Sequence, residues 1–497
     1  MQQSFKKVPG LVIAGLRGGS GKTVISLGIA AAWKEIGITV SPFKKGPDYI
    51  DAGWLSQAAG RPCYNLDTFL CTPDQVTISF GKASASSDIA VVEGNRGLFD
   101  GIDTDGRTST AEIAKLLNLP VLLVLDCTKS TRTMAALLMG CIHFDPELHI
   151  MGVILNQVAG KRHEGKVRDN IAKFCKVPVF GAVPKLGSED FPERHMGLIP
   201  SVEHEMAGES IRAAADVARR SIDLDALYRA CIDHFKSNRN RPAPSAEDLP
   251  GIASDKESKS CSENKVFAAP FGKPGEKVPV IGIVRDCAFQ FYYPDNLEAL
   301  EREGARLITI SPLRESSIPP VDAIYMGGGF PETHAPELAA NTSFRHHLRQ
   351  LAQNGLPIYA ECGGLIFLGE SLILDGITYP MTGVFPITFG LSKRPEGHGY
   401  TTVTVVNDNP FYQMGEVIRG HEFRYSSILN IDYKDSEMAF SMNRGRGIIN
   451  KRDGFCKWRV LGTYTHILAP GTDSWAKGIV RNAFQYMREQ KNPVLLH

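Results

Sequence analysis

The chain has 497 residues, a formal net charge of +1 at pH 7, 22% charged residues and ten cysteines. This length exceeds one ordinary hydrophobic core, so two domains of about 200 to 250 residues are expected. The balanced charge argues against a nucleic-acid or membrane surface as the principal partner, and no apolar run approaches the ~20 residues of a membrane span. The cysteines are scattered without a C-x-x-C pair, which indicates reduced thiols, a soluble cytoplasmic protein, and no zinc or iron–sulfur centre.

The first half of the chain alternates short apolar runs with helical stretches. Strand-like runs lie at residues 11–14, 38–43, 89–92, 121–125, 150–155 and 177–183. Short buried strands separated by helices predict an α/β fold with a doubly wound parallel sheet.

A glycine-rich segment joins the first predicted strand to the helix that follows it. Its sequence over residues 15–23 is Gly-Leu-Arg-Gly-Gly-Ser-Gly-Lys-Thr, with one more residue before the Gly–Lys pair than the strict pattern has. Backbone N–H groups of such a loop point at phosphates, the lysine supplies a positive charge, and the threonine hydroxyl can bind Mg²⁺. The segment therefore predicts a phosphate-binding loop, or P-loop, formed by Gly18, Gly19, Ser20, Gly21, Lys22 and Thr23.

Two acidic segments follow the second and third predicted strands. Asp48 and Asp51 lie in the first segment, and Glu93 and Asp100 lie in the second. Because the carboxyl ends of neighbouring parallel strands share one crevice, these carboxylates are expected to converge beside the phosphates. There they would hold a metal ion or position an acyl acceptor.

The composition of the chain changes between residues 236 and 277, where Ser, Pro, Asn, Lys and Glu dominate. This change predicts a flexible linker between a P-loop domain at 1–235 and a second domain at 278–497. The second domain has apolar runs at 280–284, 307–310, 323–326, 356–360, 401–406 and 463–468. Its later strands are closer together, which favours a mixed or partly antiparallel portion.

One cysteine in the second domain lies on a glycine-flanked turn between a predicted strand and a predicted helix. Cys362 follows the apolar run 356–360 and precedes Gly363 and Gly364. The glycines permit a tight turn, and a helix N-terminus favours a thiolate. This setting is typical of a thiol nucleophile rather than of a buried structural cysteine.

The partners that a nucleophilic cysteine needs are predicted at the ends of other strands. An oxyanion loop is expected where a strand ends in a glycine run, with backbone N–H groups from Gly327, Gly328, Gly329 and Gly363. The nucleophile also needs a base, and His466 and His421 are the two candidates.

With these motifs the chain resembles the cobyrinic acid a,c-diamide synthases, glutamine-dependent ligases that amidate carboxylates of a corrin precursor. Its first half is similar to an ATP-dependent synthetase domain related to dethiobiotin synthetase, and its second half to a class I-type glutamine amidotransferase domain. The matching segments span nearly all of the chain outside the linker and include residues 15–23, 42–51, 65–67, 93–101, 192–198, 291–297, 327–332, 360–365, 420–426 and 464–466.

The resemblance implies a role for each motif. Cys362 would be the glutaminase nucleophile, and His466 would raise its nucleophilicity. ATP and Mg²⁺ would bind at the P-loop. The implied metal ligands are Thr23, Asp48 and Glu93, and the residues implied in carboxylate activation or substrate binding are Lys44, Asp48, Asp51 and Asp100.

The resemblance also implies a reaction. ATP would phosphorylate a carboxylate of a tetrapyrrole polycarboxylate, L-glutamine would release ammonia, and ammonia would displace phosphate to leave the amide. The resemblance implies no nucleic-acid or membrane partner and is compatible with a homodimer.

Three features depart from the family pattern. Lys45 stands where an apolar residue is usual, and Asn95 and Arg96 replace an apolar pair. The added positive charge suits a polycarboxylate, and sirohydrochlorin, which also carries acetate side chains, is an alternative substrate. Leu468 occupies the place where class I enzymes often have glutamate, so we expect either a Cys–His pair or a third partner from elsewhere, such as Glu422.

A non-enzymatic alternative comes from the same P-loop. The loop resembles the deviant loop of ATPases that act as partitioning or scaffolding switches, although Arg17 replaces the lysine of that loop. Such a switch would not need Cys362 or the glycine loop at 327–329. The sequence therefore favours the amidoligase over the switch.

Overall fold

The structure is a computed structural model, and it describes residues 6–187, 207–238 and 277–491. The described residues form two compact units, one in each half of the chain. The matching segment 192–198 and most of the predicted linker, at 239–276, lie outside the described residues. The first three residues predicted as linker, 236–238, belong instead to a helix. No helix within the described ranges combines the length and apolar character needed to cross a bilayer.

The N-terminal unit contains a seven-stranded sheet in which every pair of neighbours is parallel. Its strands are β1 (Gly10–Gly15), β2 (Val40–Lys45), β3 (Tyr64–Leu66), β4 (Ile89–Glu93), β5 (Val121–Asp126), β6 (Ile150–Val158) and β7 (Val179–Pro184). They are arranged in the order β3-β2-β4-β1-β5-β6-β7. This confirms the predicted α/β class, and each of the six predicted strands is present. The short strand β3 has no apolar run and was not predicted.

Helices connect these strands and cover the sheet. They are α1 (Lys22–Glu35), α2 (Tyr49–Ala59), α3 (Pro73–Ser84), α4 (Thr110–Leu116), α5 (Arg132–Phe144), α6 (Lys161–Phe174), α7 (Ala207–Ser221) and α8 (Leu224–Asn238). Helix α1 is buried over most of its length, and its Trp33 is fully buried in the main apolar cluster of this unit. Asp48 caps α2 by accepting a hydrogen bond from the Asp51 N–H at 3.0 Å. The start of α2 is therefore fixed next to the carboxyl edge of the sheet.

The C-terminal unit contains a nine-stranded mixed sheet and a four-stranded sheet. The larger sheet has the order β16-β15-β18-β19-β20-β11-β10-β8-β9 and the smaller one the order β13-β12-β14-β17. Neighbours from β20 to β9 are parallel, whereas those from β16 to β20 are antiparallel, which confirms the predicted mixed portion. The strands are β8 (Val280–Val284), β9 (Arg306–Ile310), β10 (Ala323–Met326), β11 (Ile358–Glu361), β12 (Ser371–Leu374), β13 (Ile377–Pro380), β14 (Ile387–Leu391), β15 (Gly397–Val405), β16 (Val417–Arg424), β17 (Ser426–Ile431), β18 (Met438–Arg444), β19 (Arg452–Lys457) and β20 (Val460–Thr463).

The helices of this unit are shorter, apart from the last. They are α9 (Pro294–Arg302), α10 (Ala335–Ala340), α11 (Thr342–Gln353), α12 (Gly363–Leu368) and α13 (Asp473–Lys491). Short 3₁₀ turns occur at Pro331–His334, Asp435–Glu437 and Ala469–Gly471. The predicted strand at 463–468 ends at Thr463, so the residues that follow it form a loop beyond the edge of β20.

Candidate active sites

The P-loop links β1 to α1 and is held in place by its own backbone geometry. Gly19 and Gly21 have φ angles of 73° and 88°, a left-handed conformation that glycine adopts without strain. A Cβ atom on Gly21 would lie 2.2 Å from the amide nitrogen of Asn156, whose side chain donates to the Ser20 carbonyl at 2.9 Å. No side chain of the described residues caps α1, so its first N–H groups are available to an anion.

Lys22 connects the P-loop to the segment after β4. Its ammonium donates to the backbone carbonyls of Arg17 at 3.1 Å and Arg96 at 2.9 Å. Burial lowers the pKa of Lys22, and Glu93 opposes that shift. The lysine is therefore positioned between two loops that both face the first turn of α1.

Lys44 lies buried at the centre of a cluster of carboxylates, in which Glu93 is buried and Asp48 and Asp51 are half-buried. Its ammonium is 2.8 Å from Glu93 Oε1, 2.5 Å from Asp51 Oδ2 and 4.0 Å from Asp48 Oδ2. Burial alone would lower the pKa of Lys44, but attraction to Asp51 and Glu93 raises it well above its ordinary value. The Thr23 hydroxyl donates to Glu93 Oε1 at 2.9 Å, so this cluster adjoins the P-loop. The structure thus brings together three of the four predicted carboxylates.

Asp100 lies apart from this cluster, and Asp48 differs from its other members in its pKa. Asp100 is exposed and accepts a hydrogen bond from the Gly97 N–H at 2.9 Å, so it stabilises its own loop. Burial, together with repulsion from Asp51, raises the pKa of Asp48 to about 7. A cation placed beside Asp48 would therefore be favoured, because it would stabilise the ionised carboxylate.

Cys362 lies on the turn between β11 and α12 in a conformation that is rare for a side chain other than glycine. Its φ and ψ angles are 46° and −96°. Strained backbone of this kind persists only where the surrounding structure holds it, and here the Cys362 N–H donates to the Thr463 carbonyl at 2.8 Å. Gly364 cannot be replaced without a clash, because a Cβ atom there would lie 2.8 Å from Met326 Cβ.

The structure distinguishes between the two candidate histidines. His466 is buried, and its side chain is hydrogen-bonded to Cys362. Burial would lower the pKa of His466, but its hydrogen bonds to Cys362 and Glu361 raise it to about 10. The His421 ring stacks on the His466 ring at a centroid distance of 4.9 Å, and burial lowers the pKa of His421 well below its ordinary value. His466 is therefore the histidine placed to take the proton of the thiol.

The third partner of this site is Glu361, the residue directly before the nucleophile. Its Oε2 atom is 3.2 Å from His466 Nδ1 and also accepts a hydrogen bond from the Tyr325 hydroxyl at 3.2 Å. The expected candidate, Glu422, instead accepts the backbone N–H groups of Arg446 and Gly447 at 2.6 Å and 3.2 Å. The sequence signal for Glu361 was a carboxylate at the end of a buried apolar strand, which needs a polar partner.

A buried aspartate holds the loop that carries His466. Asp453 is fully buried and accepts four hydrogen bonds from the last residue of β20 and the two residues that follow it. The donors are the Thr463 hydroxyl at 2.7 Å, the Thr465 hydroxyl at 2.8 Å, the Tyr464 N–H at 3.0 Å and the Thr465 N–H at 3.1 Å. This network fixes the backbone that leads into His466.

The glycine loop after β10 packs directly against the nucleophile and the histidine. A Cβ atom on Gly328 would lie 2.7 Å from His466 Cε1, and one on Gly363 would lie 3.0 Å from the Gly329 amide nitrogen. The Gly327 N–H, by contrast, donates to the Tyr292 hydroxyl at 2.8 Å. Gly327 therefore shapes the loop rather than donating to an oxyanion, while the Gly329 amide lies close to Gly363, the residue after Cys362.

The two halves of the chain each match a known family. Residues 11–198 match the CobQ/CobB/MinD/ParA nucleotide binding domain, and residues 280–473 match the CobB/CobQ-like glutamine amidotransferase domain. A nucleotide-binding domain joined to an amidotransferase domain defines a glutamine-dependent amidating ligase.

Curated relatives extend this match to the whole chain. The cobyrinate a,c-diamide synthase of Magnetococcus marinus is 37% identical over 96% of this chain and 97% of its own length. Those of Methanosarcina barkeri and Archaeoglobus fulgidus are 34% and 35% identical, and they cover 97% and 96% of this chain and 97% and 98% of their own lengths. The chain belongs to the cobyrinate a,c-diamide synthase family.

Proposed function

We propose that the protein amidates the a and c acetate side chains of cobyrinic or hydrogenobyrinic acid, with ATP as the activating agent and glutamine as the nitrogen donor. The observation that carries the proposal is the hydrogen-bonded Cys362–His466–Glu361 arrangement in a chain that also has a P-loop. The first of these features releases ammonia, and the second activates the carboxylate that ammonia attacks. Glutamine cleavage alone would not explain the P-loop, and carboxylate activation alone would not explain the site at Cys362.

Glutamine is cleaved through a thioester in this proposal. His466 takes the Cys362 proton, and the sulfur attacks the carboxamide carbon while the N–H groups of Gly329 and Gly363 stabilise the oxyanion. His466 then returns the proton to the departing ammonia, which leaves a glutamyl thioester. Water hydrolyses the thioester with His466 as the base and releases glutamate. Glu361 keeps the proton of His466 on Nδ1, so that Nε2 faces the reaction.

The carboxylate is activated at the P-loop in the N-terminal unit. Lys22 and the first N–H groups of α1 bind the phosphates of ATP, and Lys44 is placed to balance the charge of the incoming carboxylate. The carboxylate oxygen attacks the γ-phosphorus and ADP departs, which gives an acyl phosphate. Ammonia then attacks the carbonyl carbon, and phosphate leaves with the bonding electrons.

The residues around the P-loop fit Mg²⁺. Glu93 Oε2 is buried and has no hydrogen-bond partner within the described chain, and Thr23 and Asp48 supply further oxygen atoms nearby. The described residues contain no cluster of three or more acidic, histidine or cysteine side chains arranged for a metal. Mg²⁺ commonly uses only one or two carboxylates together with phosphate oxygens and water. When bound, it would neutralise charge on the transferred phosphoryl group.

Sirohydrochlorin is the alternative substrate, because Lys45 and Arg96 depart from the family pattern and their charge suits a polycarboxylate. The deciding experiment incubates the protein with ATP, Mg²⁺ and glutamine against cobyrinic acid, hydrogenobyrinic acid and sirohydrochlorin. Mass spectrometry then counts the amides formed on each macrocycle. Two amides on cobyrinic or hydrogenobyrinic acid support the main proposal, and amides on sirohydrochlorin alone would replace it with the second.

The non-enzymatic switch is disfavoured by the amidotransferase site. We further propose a cytoplasmic enzyme without a nucleic-acid partner, which the net charge of +1 and the nine free thiols of the described residues support. A homodimer remains part of the proposal, and light scattering coupled to size-exclusion chromatography measures it.

A further inference from the structure

Lys45 is a buried cation that the proposed reaction leaves without a role. It ends β2 next to Lys44, and only 5% of it is exposed. Three carboxylates lie within 4.0 Å of the Lys44 ammonium, whereas Lys45 forms no such ion pair among the described residues, and Asp67 only partly opposes the lowering of its pKa by burial. A buried cation without such a partner is costly, so an incoming anion would gain more from it than from an exposed lysine.

The register of the sheet places Asn95 beside this lysine. Strands β2 and β4 are parallel neighbours, with Lys44 opposite Glu93, so the residues that follow each strand leave the sheet side by side. A Cβ atom on Gly46 would lie only 3.3 Å from the Asn95 amide nitrogen. The Asn95 side chain therefore lies against the backbone that follows Lys45.

Arg96 adds a second positive charge to the same edge of the sheet. Its φ angle is 54°, and its carbonyl accepts the hydrogen bond from the Lys22 ammonium at 2.9 Å. Arg96 is therefore hydrogen-bonded through its backbone to the lysine of the P-loop. Burial is the main cause of the lowered pKa of Lys45, and repulsion from Arg96 adds to it, whereas Asp67 acts in the opposite direction.

We propose that Lys45, Asn95 and Arg96 form an anion subsite that binds a second carboxylate of the macrocycle, next to the carboxylate that is phosphorylated. The inference rests on the proposed function, because that function requires a substrate with several carboxylates. An ammonium, a planar guanidinium and an amide donor suit a carboxylate, which accepts several charge-assisted hydrogen bonds. Holding one carboxylate of the macrocycle in this subsite would also determine which neighbouring carboxylate reaches the γ-phosphate.

Binding of the macrocycle, rather than turnover, tests this subsite directly. Absorbance titrations of the full-length protein with cobyrinic acid and with sirohydrochlorin give a Kd for each. The substitutions are Lys45→Met and Arg96→Met, and Lys34→Met is the control, since it removes the same charge from the exposed last turn of α1, away from the P-loop.

We expect Lys45→Met to weaken binding of the preferred macrocycle by about tenfold or more and Arg96→Met by a smaller factor. The Kd for ATP should change little in either variant, because Arg96 contacts Lys22 through its backbone carbonyl. Lys45→Arg should restore part of the lost affinity. The Lys34→Met control should bind the macrocycle like the wild type.

An unchanged macrocycle Kd in both folded variants would overturn the subsite, and so would a loss no larger than that of the control. Circular dichroism establishes folding, and should Lys45→Met fail to fold, the exposed Arg96→Met still decides the question. If the wild type binds a macrocycle but forms no amide, the proposed function fails while the titrations still test the subsite. If the wild type binds neither macrocycle, the subsite itself is refuted.

Discussion

The amidotransferase site and the crevice at the P-loop differ in how far their polar groups are paired. In the first, Cys362, His466 and Glu361 form a continuous hydrogen-bonded chain that is buried and complete. In the second, Glu93 Oε2 has no hydrogen-bond partner in the described part of the chain, and Lys45 is buried there without an ion pair. The difference follows from what each site must accommodate. A site for one small amide can be assembled in advance, whereas a site for a nucleotide, a cation and a polyanion keeps charges to pair with them.

The largest expected effect is a loss of glutamine hydrolysis at one site without a loss of amide synthesis at the other. Cys362→Ala should reduce glutamate release from glutamine at least about 10³-fold, since the thiol is the only proposed nucleophile. Amide formation with ammonium chloride as the nitrogen source should continue. Glutamate release by enzymatic assay and amide formation by mass spectrometry measure the two activities. Undiminished glutamate release would remove the amidotransferase half of the proposed function.

A substitution at the P-loop is expected to have the opposite effect: loss of amide synthesis without loss of glutamine hydrolysis. Glu93→Gln removes the charge that pairs with Lys44 and the oxygen placed for the cation, so ammonia-dependent synthesis should fall about 10²-fold or more. Glutamine hydrolysis should be retained. Arg61→Gln, at a half-buried residue of the same unit whose guanidinium donates to Ser86, is the control. Equal loss of both activities in the Glu93 variant would mean that the sites cannot be separated.

A smaller effect tests how complete the amidotransferase site is. Glu361→Gln should lower kcat for glutamine hydrolysis by about 10- to 100-fold with little change in KM, because the substitution disturbs only the orientation and protonation of His466. It should also move the limb of the pH–rate profile that reports His466 toward lower pH, since Glu361 helps to raise the pKa of that histidine. Glu422→Gln is the matched control on a carboxylate outside the site. A Glu361 variant that loses stability but keeps the wild-type pH profile would assign Glu361 a structural role alone.

The smallest effect uses the opposite pKa shifts of the two stacked histidines. His466 has a folded-state pKa of about 10, above the ordinary 6.5, so its contribution to stability is full below pH 6.5 and is lost as the pH rises toward 10. The difference in unfolding free energy between the wild type and His466→Gln should therefore shrink by about 1 kcal/mol or more between pH 6.5 and 10.

His421 provides the control with the opposite sign. Its folded-state pKa is lowered, so its contribution is full above pH 6.5 and is lost on acidification. Urea unfolding at several pH values measures both differences. Parallel pH dependence in the two variants would contradict the assignment of the charged histidine to position 466.

The sequence predicted those features that depend on local patterns. Alternating apolar runs locate the parallel strands, and the segment at 15–23 marks the P-loop, because spacing and glycine content act within a few residues. Asp48, Asp51 and Glu93 were expected together because strand ends in a parallel sheet share an edge.

What the sequence could not predict depends on contacts between distant segments. Glu361 meets His466 only because β11 pairs with β20, and nothing near either residue specifies that pairing. Likewise, Lys45 and Arg96 are separate in the sequence, and only the register of β2 and β4 brings the segments that carry them to the same edge of the sheet. The predicted strand at 463–468 ended early because the Asp453 carboxylate, rather than a neighbouring strand, accepts the N–H groups of Tyr464 and Thr465.

The backbone hydrogen bond between Cys362 and Thr463 has a consequence for heat inactivation. It joins the strand of the nucleophile to the strand that leads to the base, in the middle of the nine-stranded sheet. The two catalytic side chains therefore cannot separate by local fraying, and they part only when the sheet itself opens. On heating, glutamine hydrolysis should persist until the C-terminal unit melts and then disappear with it, which makes this activity a direct gauge of whether that unit is intact.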